Sequence, residues 1–168
     1  MAKVNKTGVG YKGIVTLQLR KGKKKPYKTV VIKNTGTSEL FRILCNAVIG
    51  NSVNAYMPQF LGVFYYDGSA TPPEVPAASV RVHWDDAEVG EESGEYYANF
   101  DFILPGAYVS SSVPTANRLK LYNSPSSDTP LAELDMETPI AMSPDSNLYV
   151  TWKMYFSNQA EAESETEA

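Results

Sequence analysis

Apolar and polar residues alternate at every second position in several short stretches of this chain. The pattern is strongest in NLYVTWKMYF (147–156), where one face would hold Leu148, Val150, Trp152, Met154 and Phe156. Successive strand residues point to opposite faces of a sheet, so this alternation predicts a half-buried antiparallel strand. Shorter runs of the same kind predict strands at 60–66, 79–84, 95–104, 117–122 and 131–136.

A β-hairpin with a basic tip is predicted at 12–34. The runs IVTLQL (14–19) and TVVIK (29–33) alternate, and RKGKKKPY between them contains the turn formers Gly22 and Pro26. Lysines along such a hairpin also discourage stray pairing of strand edges.

Helical spacing replaces the alternation after this hairpin. Thr37 or Ser38 can cap a helix N-terminus, and Gly50 is a good C-terminal stop. The apolar stripe between them comprises Leu40, Phe41, Leu44, Ala47 and Val48. This spacing predicts one amphipathic helix near residues 38–49, in which Cys45 would be a small buried thiol.

These elements together predict a mainly β fold: an antiparallel β-sandwich or a jelly-roll-like barrel with one helix. The connections are rich in Pro, Ser and Gly, as in GSATPPEVPAA and SPSSDTP, which is typical of such folds. A chain of 168 residues has the length of about one domain. We expect a single domain at 12–157, a flexible basic N-terminal arm at 1–11 and a disordered acidic tail at 158–168.

Charge is distributed unevenly along the chain. Of the 15 basic residues, ten lie in residues 1–38, ahead of Glu39, the first of 19 acidic residues. The net charge of −4 therefore averages a basic start and an acidic remainder. Such asymmetry favours contact of the basic end with nucleic acid or with an acidic protein surface, including another copy. The alternative is a solvated hairpin tip.

We expect the tip lysines to dock on acidic protein surface, and the polar face of the final strand to lie at an interface. Tyrosines are common at protein interfaces, which adds three of them to this hypothesis. The candidate partner-interface residues are Arg20, Lys21, Lys23, Lys24, Lys25, Tyr27, Tyr149, Lys153 and Tyr155.

Catalytic patterns are absent from the sequence. There is no phosphate-binding GxxxxGK[ST] loop, GxSxG elbow or HExxH zinc motif, and the chain has one cysteine and one histidine. We therefore expect a non-enzymatic protein with no catalytic residues, cofactor or metal. His83 is interpreted as a strand or rim histidine, the alternative being a general base oriented by Asp85 or Asp86.

The same region carries a concentration of carboxylates. They are Asp85, Asp86, Glu88, Glu91, Glu92 and Glu95. Oxygen ligands of this kind could bind Ca²⁺, but the spacing differs from a regular EF-hand loop. We expect a solvated acidic loop.

Three phrases in order resemble a family of proteins. TVVIKNTGTSELFRILCNAVIGN has a strand, an Asn-x-x-Gly turn and a helix ending in Gly; QFLGVFYYDGSATPP follows, and TPIAMSPDSNLYVTWKMYF closes the pattern. This layout resembles tail, baseplate and fibre-associated structural proteins of tailed bacteriophages. The resemblance implies a virion protein made in the host cytoplasm. It would assemble in multiple copies at a tail, baseplate or fibre attachment site, with other virion proteins and copies of itself as partners.

Other functions remain open at this point. A capsid decoration or head-fibre anchor protein would show the same sequence features but bind a different virion partner. A nucleic-acid-binding module could use the basic hairpin, an alternative that we do not favour, and a carbohydrate-binding module could use exposed Tyr and Trp. MAKVNKTGVG lacks the apolar run of a secretory signal, and no apolar stretch approaches 18 residues, so we expect no membrane partner.

Overall fold

Two antiparallel sheets pack face to face in a computed structural model of the chain. The structure describes residues 9–34, 42, 58–66 and 78–158. The elements in these ranges are β1 (Val9–Arg20), β2 (Lys28–Asn34), β3 (Phe60–Tyr65), β4 (Ala78–His83), β5 (Asp86–Glu92), β6 (Glu95–Leu104), α1 (Gly106–Ser112), β7 (Thr115–Tyr122), β8 (Ala132–Ala141) and β9 (Asn147–Asn158).

The strands form an open sandwich. One sheet has five strands in the order β2-β1-β9-β6-β5, and the other has four in the order β4-β3-β7-β8. The prediction of a mainly β sandwich is confirmed, and the sheets do not close into a barrel. Within the described part of the chain, no helix has both the length and the apolar character needed to cross a membrane.

The core lies between the facing sides of the two sheets, which we call their inner faces. Val15, Trp152 and Phe100 sit side by side across β1, β9 and β6 and are almost fully buried. The four-stranded sheet contributes Leu119 and Leu121 of β7, among others, to the buried side of this core. Burial of this apolar area is the main force that holds the two sheets together.

Strand β9 has the two faces that its alternation predicts. Leu148, Val150, Trp152 and Met154 are at most 2 % exposed, and Phe156 packs against the core while partly exposed. The strand is paired on both sides, with β1 and with β6. Its position at the centre of the sheet explains why its pattern is the clearest in the sequence.

The acidic region predicted to be a loop is a strand, so this prediction is wrong. Residues Asp86–Glu92 form β5 and pair with β6 through a two-residue turn. In that turn, Ser93 has φ of 53° and Gly94 has φ of 81°. Positive φ at both positions is the mark of a type I′ turn, whose twist suits a tight hairpin. The carboxylates remain in water because β5 is an edge strand.

Other parts of the prediction also differ from the structure. β1 begins at Val9 and pairs out to Asn158, so residues 9–11, assigned to the flexible arm, belong to the sheet. The connection SSSVPTAN contains the end of α1, which the sequence did not predict. Gly106 permits this helix, because a Cβ there would collide with the backbone oxygens of Ser143 and Ser146.

The predicted helix at 38–49 and Cys45 lie outside the described residues, except for Arg42, which is helical and exposed. Most of the predicted arm and nearly all of the predicted tail also lie outside them.

Candidate functional site

The basic tip, defined as residues 21–27 between β1 and β2, projects from one end of the five-stranded sheet. Its turn needs a left-handed backbone at Gly22, where φ is 59°. Lys21, Lys23, Lys24 and Lys25 are all exposed. Tyr27 is also exposed, and its amide donates to the carbonyl of Leu19 at 3.0 Å, which fixes the base of the tip.

One of the four tip lysines has a partner within the chain. Lys21 Nζ lies 3.0 Å from Asp145 Oδ2, in the turn before β9, and this pairing raises the pKa of Lys21. A hydrogen bond from Ser143 and the Lys21 charge together lower the pKa of Asp145. Lys23, Lys24 and Lys25 form no ion pair with any other described residue, so their charges are available to an external partner.

The outer face of the five-stranded sheet, which points away from the core, carries the other predicted interface residues. Arg20 lies on this face beside Tyr149, with its guanidinium carbon 4.7 Å from the centre of the Tyr149 ring. The same guanidinium donates to Gln18 Oε1. Stacking of this kind holds the cation flat against the ring and restricts both side chains.

A second group on the outer face surrounds Glu92, and we call it the Glu92 cluster. The Tyr155 hydroxyl donates to Glu92 Oε2 at 2.7 Å, and Lys153 Nζ lies 3.3 Å from the same oxygen. Lys12 and Tyr97 complete the cluster: Lys12 Nζ lies 4.6 Å from the Tyr155 ring centre, and Lys153 Nζ lies 4.2 Å from the Tyr97 ring centre.

Proton affinities in the Glu92 cluster follow from these contacts. The hydrogen bond from Tyr155, aided by Lys153, lowers the pKa of Glu92. The same bond raises the pKa of Tyr155, because ionising the phenol would place two negative charges together. Burial lowers the pKa of Lys153, but Glu92 and the neighbouring tyrosines outweigh it, so the net shift is upward.

A shallow groove of about 320 Å³ lies on the outer face between β1, β9 and β6. Gln18, Arg20, Asp101, Tyr149 and Thr151 contribute to its walls. Thr151 Oγ1 donates to Asp101 Oδ1 at 2.7 Å, so this lining carboxylate already accepts a hydrogen bond within the chain. The polar side chains of the groove can form hydrogen bonds with a polar ligand. The ring of Tyr149, which also lines the groove, is covered on one side by Arg20.

The structure therefore divides the predicted interface residues into two groups. Arg20, Tyr149, Lys153 and Tyr155 share the outer face, whereas the lysines and Tyr27 form the basic tip beyond it. Tyr155 is only 7 % exposed, because neighbouring side chains cover its ring. Sequence reasoning missed the cluster members contributed by other strands, since their proximity depends on the strand order.

The two edges of the five-stranded sheet carry opposite charge. β2, with the sequence KTVVIKN, has two lysines and no acidic residue. β5, with the sequence DAEVGEE, has four acidic residues and no basic one. Each edge also exposes an apolar side chain, Val31 in β2 (62 %) and Val89 in β5 (82 %).

His83, the candidate general base, does not have the contacts that the catalytic hypothesis requires. Its Nδ1 lies 2.8 Å from the carbonyl oxygen of Trp84, and its ring contacts Phe60 and Trp84. Asp85 accepts a hydrogen bond from the Ile103 amide, and Asp86 accepts one from the Ala87 amide. Both carboxylates thus organise backbone, and the described contacts of His83 include neither.

The outer face of the four-stranded sheet is a set of stacked aromatic rings and cations that sequence reasoning missed. Arg81 lies 3.7 Å from the centre of the Tyr122 ring, and burial raises the pKa of Tyr122. Lys120 pairs with Glu133 on β8. The alternation in NRLKLY was the available signal, but the ring partners come from other strands. Its cations stack on rings or pair within the sheet, which leaves them less available to an external partner than the lysines of the basic tip.

Among the described residues, no group of three or more His, Cys, Asp or Glu side chains is placed to hold a metal ion. No protein-family model matches this sequence, and neither a curated protein nor a solved structure matches it.

Proposed function

We propose that this protein is a non-enzymatic structural component of a tailed-phage virion. It assembles in multiple copies at a tail, baseplate or fibre attachment site. The observation that carries the proposal is the placement of opposite charge on opposite edges of one sheet. A basic edge and an acidic edge on the same body attract each other between copies, whereas like edges repel.

The basic tip adds to the attraction at one of these edges. Lys23, Lys24 and Lys25 are exposed beside β2 and have no described acidic partner. Six acidic residues and no basic one lie in residues 85–95, at the other edge of the sheet. The phage assignment itself is supported by the sequence resemblance described above.

Nucleic-acid binding is the competing function that the basic tip suggests. It is less favoured because the tip stands on a chain of net charge −4, and the acidic edge would repel phosphate. Carbohydrate binding in the outer-face groove is also less favoured. Its aromatic residue, Tyr149, already stacks against Arg20 and offers at most one ring face to a sugar.

Quantitative mass spectrometry of purified virions tests the proposal. We expect the chain in mature particles at a fixed multiple-copy ratio to the major capsid protein. Separation of heads from tails before digestion would then distinguish a tail position from capsid decoration or a head-fibre anchor. Absence from washed particles, with the chain present in infected cells, would overturn the virion role.

Retention of the purified protein on immobilised DNA tests the competing function. We expect no retention near physiological salt at micromolar protein. Retention that falls steeply with added salt would mark counterion release from phosphate, and would favour the nucleic-acid alternative over docking on protein.

A further inference from the structure

We propose that copies of this chain join edge to edge, with β2 of one copy pairing with β5 of the next. The joint would continue the five-stranded sheet from copy to copy. This inference rests on the multi-copy assembly proposed above and specifies the surface and partner that it uses.

Both strands have the properties that edge pairing requires. They stand at opposite ends of the sheet order, and each is seven residues long. An edge strand presents unpaired backbone N–H and C=O groups, a template for another strand. Val31 on the outer face and Val89 on the inner side, both mostly exposed, would each be partly covered by side chains of the neighbouring copy.

Charge selects the β2–β5 joint over the alternatives. Pairing β2 with a second β2 would bring Lys28 and Lys33 close to the same lysines. Pairing β5 with a second β5 would do the same with its four carboxylates. Like charges opposed across strands are destabilising and opposite charges are favourable, so the mixed joint is preferred on both counts.

The charges also match on each face of the sheet. The strand registers place Lys33 on the outer face and Lys28 on the inner side. On β5 they place Glu88 on the outer face and Glu91 on the inner side. If successive copies keep their inner faces on the same side, each face of the joint holds one lysine from β2 and at least one glutamate from β5.

The direction of the joint follows from the strand order. Four antiparallel steps lead from β2 to β5, so these two strands run in the same direction. Copies repeated along the sheet must therefore meet through a parallel pair. Because the joint uses two different surfaces, it leaves one free edge of each kind, and repetition gives a ring or a filament.

Charge reversal separates this inference from docking by the basic tip. The edge variant K28E/K33E and the tip variant K23E/K25E change the net charge equally, and thermal unfolding checks that both fold. Sedimentation velocity at low salt should show association of the unmodified chain. We expect at least tenfold weaker association for the edge variant, and less than threefold for the tip variant.

A compensating variant tests the pairing itself. K28E/K33E/E88K/E91K reverses one lysine and one glutamate on each face of the joint and restores the net charge of −4. Because Asp86 and Glu92 keep their negative charge, we expect association at least threefold stronger than that of the edge variant. No recovery, an equal loss in the tip variant, or an unmodified chain that stays monomeric would each overturn edge pairing. Multi-copy presence in virions would then leave the proposed function standing, whereas absence from virions would overturn that function.

Discussion

The centre and the edges of the five-stranded sheet differ in how substitutions should affect them. Strand β9 lies at the centre, and strands β2 and β5 lie at the edges. β9 is paired on both sides and buries its inner face completely at Trp152. The edge strands are paired on one side, are rich in charge, and expose Val31 and Val89. Stability should therefore depend on the centre and recognition on the edges, and substitutions can separate these two properties.

The largest effect is expected at the centre of the core. Trp152 is fully buried, so Trp152→Ala removes a large apolar contact and leaves a cavity. Such a change typically costs about 3–5 kcal/mol, a large share of the roughly 5–15 kcal/mol that stabilises a domain. Chemical denaturation measures the loss. A fully stable variant would contradict both the strand register and the core.

A smaller effect is expected on the other face of the same strand. Thr151→Val removes the hydroxyl that donates to Asp101 while keeping the shape of the side chain. Loss of one partly exposed hydrogen bond should cost under about 1 kcal/mol. Denaturation of this variant beside Trp152→Ala compares the two faces of β9 directly. Equal losses would show that the outer face matters as much as the core.

The Glu92 cluster links the centre of the sheet to its acidic edge through pH. The pKa of Glu92 is lowered in the folded chain, so its contribution is present above about pH 4.3, the usual value for glutamate, and fades as pH falls through the folded pKa. The pKa of Tyr155 is raised in the folded chain. The stabilisation from its protonated hydroxyl is therefore present below about pH 10 and is lost as pH rises through its folded pKa.

Tyr155→Phe tests this linkage because it removes the donor to Glu92 and keeps the ring. We expect the pKa of Glu92 to rise towards its ordinary value in an NMR titration. Thr151→Val, outside the cluster, should leave that pKa unchanged. An unchanged pKa in Tyr155→Phe would mean that Lys153 alone sets the charge of Glu92.

The smallest effect on stability is expected at the edge. Val89 in β5 is 82 % exposed, so Val89→Thr keeps the branched shape and removes little buried area. Its effect on unfolding should stay within about 0.5 kcal/mol by chemical denaturation. A loss comparable to that of Trp152→Ala would show that the isolated chain covers this edge.

The difference between centre and edge also explains what the sequence could reveal. A central strand has one buried face, so the alternation around Trp152 predicted β9 and its core residues. In β5, four of seven residues are acidic, and charge on both faces obscures the alternation of Ala87 and Val89. The Ser93-Gly94 turn was the remaining signal for that hairpin.

The candidate site was harder to predict because it is assembled across strands. The sequence indicated Lys153 and Tyr155 on one face of β9, which the structure bears out. Their partner Glu92 lies on a strand separated from β9 by β6. Strand order is a property of the whole fold, and alternation within one strand contains no record of it.

The position of β9 has a consequence for how the chain is made. Synthesis proceeds from the N-terminus, and β1 can pair with β2 soon after it is made. Its second neighbour in the sheet, β9, is synthesised only near the end of the chain. Until then the β1–β2 and β5–β6 hairpins are separate halves, each with an additional unpaired edge. Such long-range closure is slow and exposes strands to wrong partners. Within each hairpin all charges have one sign, so the same hairpin on two nascent chains repels its copy during that delay.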